Sequence, residues 1–360
     1  MNKKLIVTGT VCAALLCTAA FAAPASNTDS APAAPAVTAP AVDPSVPLDA
    51  PTAMPEEAIP YSIGIKATVT EVLKSESGAS IEVKPEDGET IVLNVSDKTI
   101  LLDNQKAIPV SIEDIKAGDT IYAYHDLMMT RSIPAQTPAL AILTNLGDGA
   151  IAKLHMPEQM SIADGKASML CDNGSIWVRT TEETEFQPYM TKMLVRAENL
   201  RIGQPFLAWY DIVMESFPAQ ANATRILLPA MNAEERELTF TLDGDMVIGA
   251  KMVDGVPVVP VRPTAEALGL KVGYRKDGNN AYITLSSESG ELSMTLGQDA
   301  YSYAASASGK EGATAPLSYG AAPFTAPYFE TPSTWMSAEA FQLLGYDVAL
   351  RHDALSITKR

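Results

Sequence analysis

The sequence predicts a mostly β fold, with two tandem small β-barrel-like units, OB-like in general shape, followed by an α+β domain of short helices packed on antiparallel strands. Three observations support this prediction. A stretch of about 85 residues occurs twice. Within each copy, apolar and polar residues alternate around Asp-Gly or Asn-Gly dipeptides, which is typical of β-hairpins. From Met246 onward, short helical segments with their own start and stop residues lie between the strands.

The N-terminal residues predict a cleaved export signal. Residues 1–22 carry Lys3 and Lys4, then an apolar run rich in alanine and leucine, then a small-x-small cleavage site ending at Ala22. The run is too short and too rich in alanine for a comfortable membrane span, so a retained N-terminal anchor is the weaker alternative. We therefore predict an extracytoplasmic protein, in the periplasm, in the cell wall or secreted, with no stable membrane span after signal cleavage.

Composition bounds the segment that follows and the class of partner. Residues 23–60 are rich in proline and alanine and poor in large apolar side chains, which predicts a disordered, semi-stiff linker. The formal net charge of −17 predicts a soluble, acidic protein without a nucleic-acid partner, because phosphate backbones carry the same sign of charge. Of the three cysteines, only Cys171 lies outside the signal, so we predict a buried structural thiol and no intramolecular disulfide.

The two β units are predicted at residues 61–146 and 147–231. IKAGDTIYAYHDLMM, from Ile115, aligns with LRIGQPFLAWYDIVM, from Leu200, so that Gly118 meets Gly203. Upstream, PEDGETIVLNVSDKT resembles LCDNGSIWVRTTEET, with one hairpin dipeptide in each. Short, closely spaced strands of this kind predict five or six strands per unit.

The phrase S-x-P-A-Q follows in both units, starting at Ser132 and at Ser216. A functional interpretation is that the repeated serine and glutamine line two equivalent ligand sites. The favoured structural interpretation is that Pro134 and Pro218 end a strand while the polar side chains bond the freed backbone groups. Neither serine lies in the G-x-S-x-G context of a nucleophile elbow, so neither is predicted to be catalytic.

Residues 238–360 form the predicted α+β domain. VPVVPVRPTAEALGLKV predicts a strand and then a short helix, with Pro263 in the first helical turn and Gly269 just past its end. The segment WMSAEAFQLLGYDVALRHDALSIT repeats this plan, with Ser337 as the N-cap and Gly345 as the stop.

These residues, together with the hairpin YRKDGNNAYIT, resemble the copper amine oxidase N-terminal-like domain, often called a stalk domain, over the last third of the chain. The resemblance implies a stalk-like accessory module found in exported bacterial proteins, separate from the copper- and quinone-bearing catalytic domain. It also implies no amine oxidase activity, because the His-x-His pair and the Asn-Tyr motif of the catalytic domain are absent from this sequence.

Other chemical signals are interpreted structurally, and no catalytic residue, cofactor or metal site is predicted. His125-Asp126 aligns with Tyr210-Asp211 in the second unit, and a site built twice would keep the imidazole. Glu182, Glu183 and Glu185 could offer oxygens to Ca²⁺, but no loop of the D-x-D-x-D-G type is present, so a solvated charged edge is favoured.

Aromatic residues supply the remaining binding candidates. Trp177, Trp209 and Trp335 are more typical of core positions. We predict a surface-binding aromatic group in the segment after Leu296, consisting of Tyr301, Tyr303, Tyr319, Tyr328 and Phe329.

The sequence therefore predicts an exported, non-catalytic cell-envelope protein, a structural or adhesive module whose partner is a cell-wall polymer or an envelope protein. Two alternatives are a divergent extracytoplasmic hydrolase acting on wall polymers and a ligand-scavenging binding protein. The hydrolase would need two carboxylates facing each other across a cleft, and the scavenger an enclosed pocket with converging polar groups.

Overall fold

The computed structural model describes residues 60–75, 78–229, 235–306 and 327–360. The predicted signal (residues 1–22), all of the predicted linker except residue 60, and Tyr319 lie outside the described residues. In the part of the chain that is described, no helix combines the length and the apolar character needed to cross a bilayer.

The first β unit is a closed barrel. Its strands β1 to β7 are Ile63–Ser75, Gly78–Pro85, Ile91–Val95, Ile100–Asp103, Ile108–Pro109, Thr120–His125 and Ala135–Thr144. The ring runs β3-β2-β1-β6-β7, and a parallel pairing of β7 with β3 closes it. Inward-facing residues such as Ile81, Leu93 and Ile121 fill the barrel and are fully buried. The mostly β prediction and the barrel closure are confirmed for this unit.

The second β unit repeats this order of neighbours with two strands broken. Strands β8 to β16 are Lys153–His155, Pro157–Ala163, Lys166–Cys171, Ile176–Arg179, Glu185–Pro188, Phe206–Trp209, Val213–Met214, Ala219–Asn222 and Arg225–Leu228. They form two sheets, β14-β15-β11-β10-β9 and β12-β16-β13-β8. The parallel pair β11–β15 corresponds to β3–β7, and β12–β16 to β4–β7.

The internal repeat extends to individual hydrogen bonds. The backbone N–H of Gly118 donates to Val69 O at 2.8 Å, and that of Gly203 donates to Pro157 O at 2.8 Å. Each unit contains a single-turn 3-10 helix, at Ile112–Asp114 and at Ala197–Asn199. In both, the side chain of the third helical residue accepts a hydrogen bond from the backbone N–H of the residue just before the helix. Equivalent positions in the two copies therefore make equivalent backbone contacts.

The last third, residues 236–360, contains a seven-stranded and a four-stranded sheet. Strands β17 to β27 are Arg236–Leu242, Asp245–Val253, Val256–Pro260, Lys271–Asp277, Asn280–Ser286, Gly290–Thr295, Tyr301–Ala305, Tyr328–Glu330, Ser333–Ser337, Tyr346–Arg351 and Ala354–Lys359. The first sheet runs β24-β25-β19-β18-β17-β27-β26 and the second β20-β21-β22-β23.

The two predicted helices lie in this last third. Helix α1 spans Val261–Ala267 with Gly269, at φ +71°, just beyond its end. The second helix, Ala338–Leu344, has 3-10 geometry; the Ser337 side chain accepts from the Glu339 N–H at 3.3 Å, and Gly345 ends it at φ +85°. The predicted cap and stop residues are confirmed.

The predicted hairpin turns differ in geometry. Asp254-Gly255 is a two-residue turn with positive φ at both residues, joining the paired Val253 and Val256. By contrast, residues 86–90 separate β2 from β3, and only Gly88 among them has positive φ. The first of the aligned dipeptides thus lies in a longer loop, because the strands stop pairing before it.

Three apolar clusters organise the described residues. One fills the first barrel, and a second lies between the two β units, with Leu102, Leu154 and Trp209 among its members. The third is continuous from the second β unit into the last third, and includes Met169, Phe206, Phe240 and Phe341. The second unit and the last third therefore share one core.

Candidate functional site: the cleft between the two β units

A cleft of about 830 Å³ opens beside the contact between the two β units. Its walls come from the end of β4 (residues 104–105), from the connecting segment (residues 146–150), and from the β12, β13 and β16 region of the second unit. This volume lies in the range of small-molecule sites in proteins, about 300–1,000 Å³.

Asn104 fixes the floor of the cleft. Its side chain, 2% exposed, donates to Leu146 O at 3.3 Å and Ala150 O at 3.1 Å. Its Oδ1 accepts from the Ala152 N–H at 2.9 Å and from the Trp209 indole at 3.2 Å. One amide thus bonds the first unit, the connecting segment and the second unit, so the cleft is pre-formed.

One wall of the cleft carries an internally paired arginine. Arg225 Nε and Nη2 both donate to Glu185 Oε2 at 3.1 Å, and the guanidinium lies over the Trp209 ring, 5.7 Å from its centroid. The pair cancels its own charge. It also covers the indole face, which is therefore not available as a sugar-stacking platform.

Two carboxylates on the same cleft are not paired in this way. Glu183 and Asp211 line the cleft, and within the described residues neither carboxylate forms an ion pair or a hydrogen bond. With Arg225 matched by Glu185, the net formal charge of the lining is −2. The described lining of the cleft is therefore acidic.

The glutamates considered for Ca²⁺ do not converge. Glu182 bonds Lys166 at 2.8 Å, Glu185 bonds Arg225, and Glu183 faces the cleft. The three side chains point to different neighbours, and among the described residues no group of three or more His, Cys, Asp or Glu could hold a metal ion.

The repeated S-x-P-A-Q phrase forms the same turn twice. Ser132 Oγ donates to Pro134 O at 2.7 Å, and Ser216 Oγ donates to Pro218 O at 2.7 Å. The serines bond local backbone, as the structural interpretation predicts. The prediction that Pro134 and Pro218 end a strand is wrong, because each proline directly precedes one, β7 or β15. The residue between serine and proline is exposed in both copies, Ile133 at 99% and Phe217 at 81%.

A buried polar network in the second unit was missed by sequence reasoning. His155 Nδ1 lies 2.6 Å from Asp172 Oδ2, and its Nε2 lies 3.0 Å from the Tyr210 hydroxyl. Burial and the Asp172 carboxylate raise the pKa of Tyr210. The three residues are widely separated in sequence and match no motif, so only the fold brings them together. His125 Nδ1 lies 2.7 Å from the Asp126 carbonyl oxygen.

The predicted surface aromatics are split by the fold. Tyr301, the first residue of β23, is 2% exposed and packs in the shared core. The prediction that it is a surface residue is therefore wrong. Tyr303 and Tyr328 are half-buried, and Phe329 is 61% exposed. The described members therefore do not form a continuous exposed strip. Cys171 is buried, as predicted, and burial raises the pKa of its thiol.

Comparisons with known proteins identify no family. No family model and no curated protein matches the chain, so the stalk-domain resemblance stays a prediction. Solved structures do match. One, described as "Structural mimicry for functional antagonism", is 9% identical with a TM-score of 0.17, covering 48% of this chain and 94% of its own. Another, the "Ifi202 HINa domain in complex with 20bp dsDNA", is 8% identical with a TM-score of 0.17, covering 46% of this chain and 93% of its own.

These matches correct two sequence predictions. The Ifi202 domain was solved with duplex DNA, which contradicts our prediction of a cell-wall or envelope-protein module with no nucleic-acid partner. We withdraw that function and that partner assignment. At 8% identity and a TM-score of 0.17 the likeness does not transfer a ligand, so no nucleic-acid function is derived from it either.

Proposed function

We propose that the protein is a binding protein whose cleft between the β units holds a small organic cation with amine donors, such as a diamine. The observation that carries the proposal is the pair of cleft carboxylates, Glu183 and Asp211, which have no cationic partner among the described residues. An ammonium group is compact and donates three hydrogen bonds, which matches separated carboxylates better than it matches an apolar pocket.

The choice of an organic cation over a metal ion follows from the donors. Ca²⁺ takes six to eight oxygens, whereas this cleft offers two separated carboxylates and a few hydroxyl and amide groups such as Thr181 and Asn222. A diamine carries two ammonium groups, one for each of the two carboxylates. The proposal assigns binding and no turnover.

We also propose the finer layout as tandem OB-like units followed by a stalk-like domain. The matched parallel pairs and the equivalent Gly118 and Gly203 hydrogen bonds support the tandem units. The order of strand, α1 and the β20–β21 hairpin, repeated as strand, 3-10 helix and the β26–β27 hairpin, supports a second duplication.

Isothermal titration calorimetry tests the binding proposal. We expect 1,4-diaminobutane to bind at low ionic strength, and 1,4-butanediol and succinate not to bind. Asp211→Asn and Glu183→Gln should each weaken binding about fivefold or more, because each removes one charge-assisted contact. Glu182→Gln is the matched control, since Glu182 pairs with Lys166 outside the cleft.

Two results would contradict the proposal. Equal affinity for the diamine and the diol would show that charge does not drive binding. A 20-bp DNA duplex belongs in the same titration. If the duplex bound and the diamine did not, the cleft proposal would be replaced by a nucleic-acid function.

A further inference from the structure

The two S-x-P-A-Q turns carry exposed apolar side chains that the cleft does not use. We call residues 128–134 the first tip and residues 212–218 the second tip. In the first, Met128 is 77% and Ile133 99% exposed; in the second, Ile212 is 77% and Phe217 81% exposed. Soluble proteins usually expose large apolar residues singly, so two such clusters at equivalent positions mark an interaction surface.

Each tip contains hydrogen bonds of its own. In the first, the Thr130 N–H donates to Gln136 O at 2.9 Å and the Gln136 N–H donates to Thr130 Oγ1 at 2.9 Å. In the second, Met214 pairs with Gln220 across β14 and β15, and the Gln220 side chain donates to Ser216 Oγ at 3.2 Å. These hydrogen bonds satisfy part of the polar groups of each tip internally, which lowers the cost of taking the tip out of water.

The two copies keep apolar character at the tip but change its shape. The branched aliphatic Ile133 corresponds to the flat aromatic Phe217, and Met128 to Val213. A shaped protein pocket would accept one of these and reject the other. A fluid acyl phase requires only that the side chain be apolar.

The charges at the tips indicate which surface fits. Arg131 is exposed beside Ile133, and Glu215 is exposed beside Phe217, so the two apexes carry one cation and one anion. Such a pair complements headgroups that carry both signs. The net charge of −17 on the chain opposes both an anionic bilayer and a second copy of the same chain.

We propose that the two tips insert into the interfacial region of a zwitterionic lipid surface, making the protein a peripheral lipid-binding protein. The contact is reversible, since two short apolar clusters bury far less surface than a membrane-spanning helix.

Vesicle flotation with the full chain tests this inference. We expect the protein to float with phosphatidylcholine vesicles and to bind phosphatidylglycerol vesicles more weakly. Ile133→Ser and Phe217→Ser should each reduce the bound fraction at least threefold, and the double variant at least tenfold. Tyr274→Ser, which removes a 64% exposed aromatic of the last third, is the matched control and should bind as the wild type does.

A second readout separates insertion from misfolding. The Phe217→Trp variant should shift its fluorescence to shorter wavelengths with phosphatidylcholine vesicles, at an unchanged thermal midpoint. An unshifted spectrum, or a double serine variant that floats like the wild type, would overturn the inference. Concentration-dependent self-association that the double variant abolishes would overturn it too, and would assign the tips to a second copy.

Discussion

At the scale of single residues, the Asn104 side chain joins segments that lie far apart in the chain. Its amide is buried, and all of its hydrogen-bond partners belong to segments other than β4. The bonds it forms are ordinary in length. Their importance comes from the groups that would be left buried and unpaired if the amide were removed.

We therefore expect Asn104→Ala to lower the free energy of unfolding by about 2–3 kcal/mol. The Leu146 and Ala150 carbonyls would lose their donor, and the Ala152 N–H its acceptor. Urea denaturation measures the change. Asn94→Ala, at an exposed position of β3, is the control and should change stability by less than about 0.5 kcal/mol. Equal effects of the two substitutions would show that the Asn104 network is not structural.

At the scale of elements, Gly118 and Gly203 show how one turn serves two environments. Both have positive φ, +94° and +75°, and both donate the same backbone hydrogen bond in their own unit. A Cβ added to Gly118 would meet open space. At Gly203 it would lie 2.5 Å from Leu350 Cδ2 and 3.3 Å from Met252 Cε. The second turn is thus packed against the last third, and the first is free of that constraint.

The pair gives a matched prediction. Gly118→Ala should lower the free energy of unfolding by about 1 kcal/mol, because the only strain is that of an alanine in a backbone conformation with positive φ. Gly203→Ala should lower the free energy of unfolding by about 3 kcal/mol, because overlap of the new methyl group with Leu350 and Met252 adds to the same backbone strain. Thermal or urea unfolding of both variants measures the difference. Equal losses of stability in the two variants would contradict the prediction, because they would show that the side chains of the last third move aside for the added methyl group at little cost.

At the scale of the whole molecule, buried charges lie where the second unit meets the last third. Arg351 Nε is 2.8 Å from Glu158 Oε2, and Glu158 is 3% exposed. Glu339, 8% exposed, lies close enough to the buried Arg201 for their charges to interact. Burial raises the pKa of Glu339, while Arg201 and a hydrogen bond from the Ile202 backbone oppose the rise. Burial likewise raises the pKa of Glu158, against the opposing effect of Arg351.

This arrangement predicts a pH dependence of global stability. A carboxyl whose pKa is higher in the folded state binds its proton more tightly there, so its contribution to stability is full below the unfolded value of about 4.5 and is lost as pH rises through the folded pKa. Lowering the pH toward that unfolded value should therefore bring a stabilising contribution from Glu339.

Glu339→Gln should remove that contribution, so its stability should rise less than that of the wild type over the same pH range. Urea midpoints measured at several pH values test this. Glu288→Gln, at an exposed position, should leave the pH profile unchanged. A wild type and a Glu339→Gln variant with parallel profiles would contradict the prediction.

Local signals in the sequence were sufficient for elements whose causes are local. Asp254-Gly255 predicts its hairpin because two adjacent residues must adopt positive φ, and Ser337 and Gly345 bound a helix because their contacts lie within a few residues. The duplicated β units are predicted from the sequence because similar segments recur at an offset of about 85 residues.

The cleft, the two tips and the His155 network were decided by tertiary structure. Glu183 and Asp211 share a surface because β12 and β13 both flank β16. Tyr301 is buried because β23 turns its side chain into a core shared with the second unit. The sequence by itself determined the mostly β character, the Asp254-Gly255 turn and the caps of the two helices, because those choices depend on neighbouring residues. Which side chains face water, each other or a ligand depended on contacts between residues far apart in the chain, and the pattern of one strand contains no information about its partner.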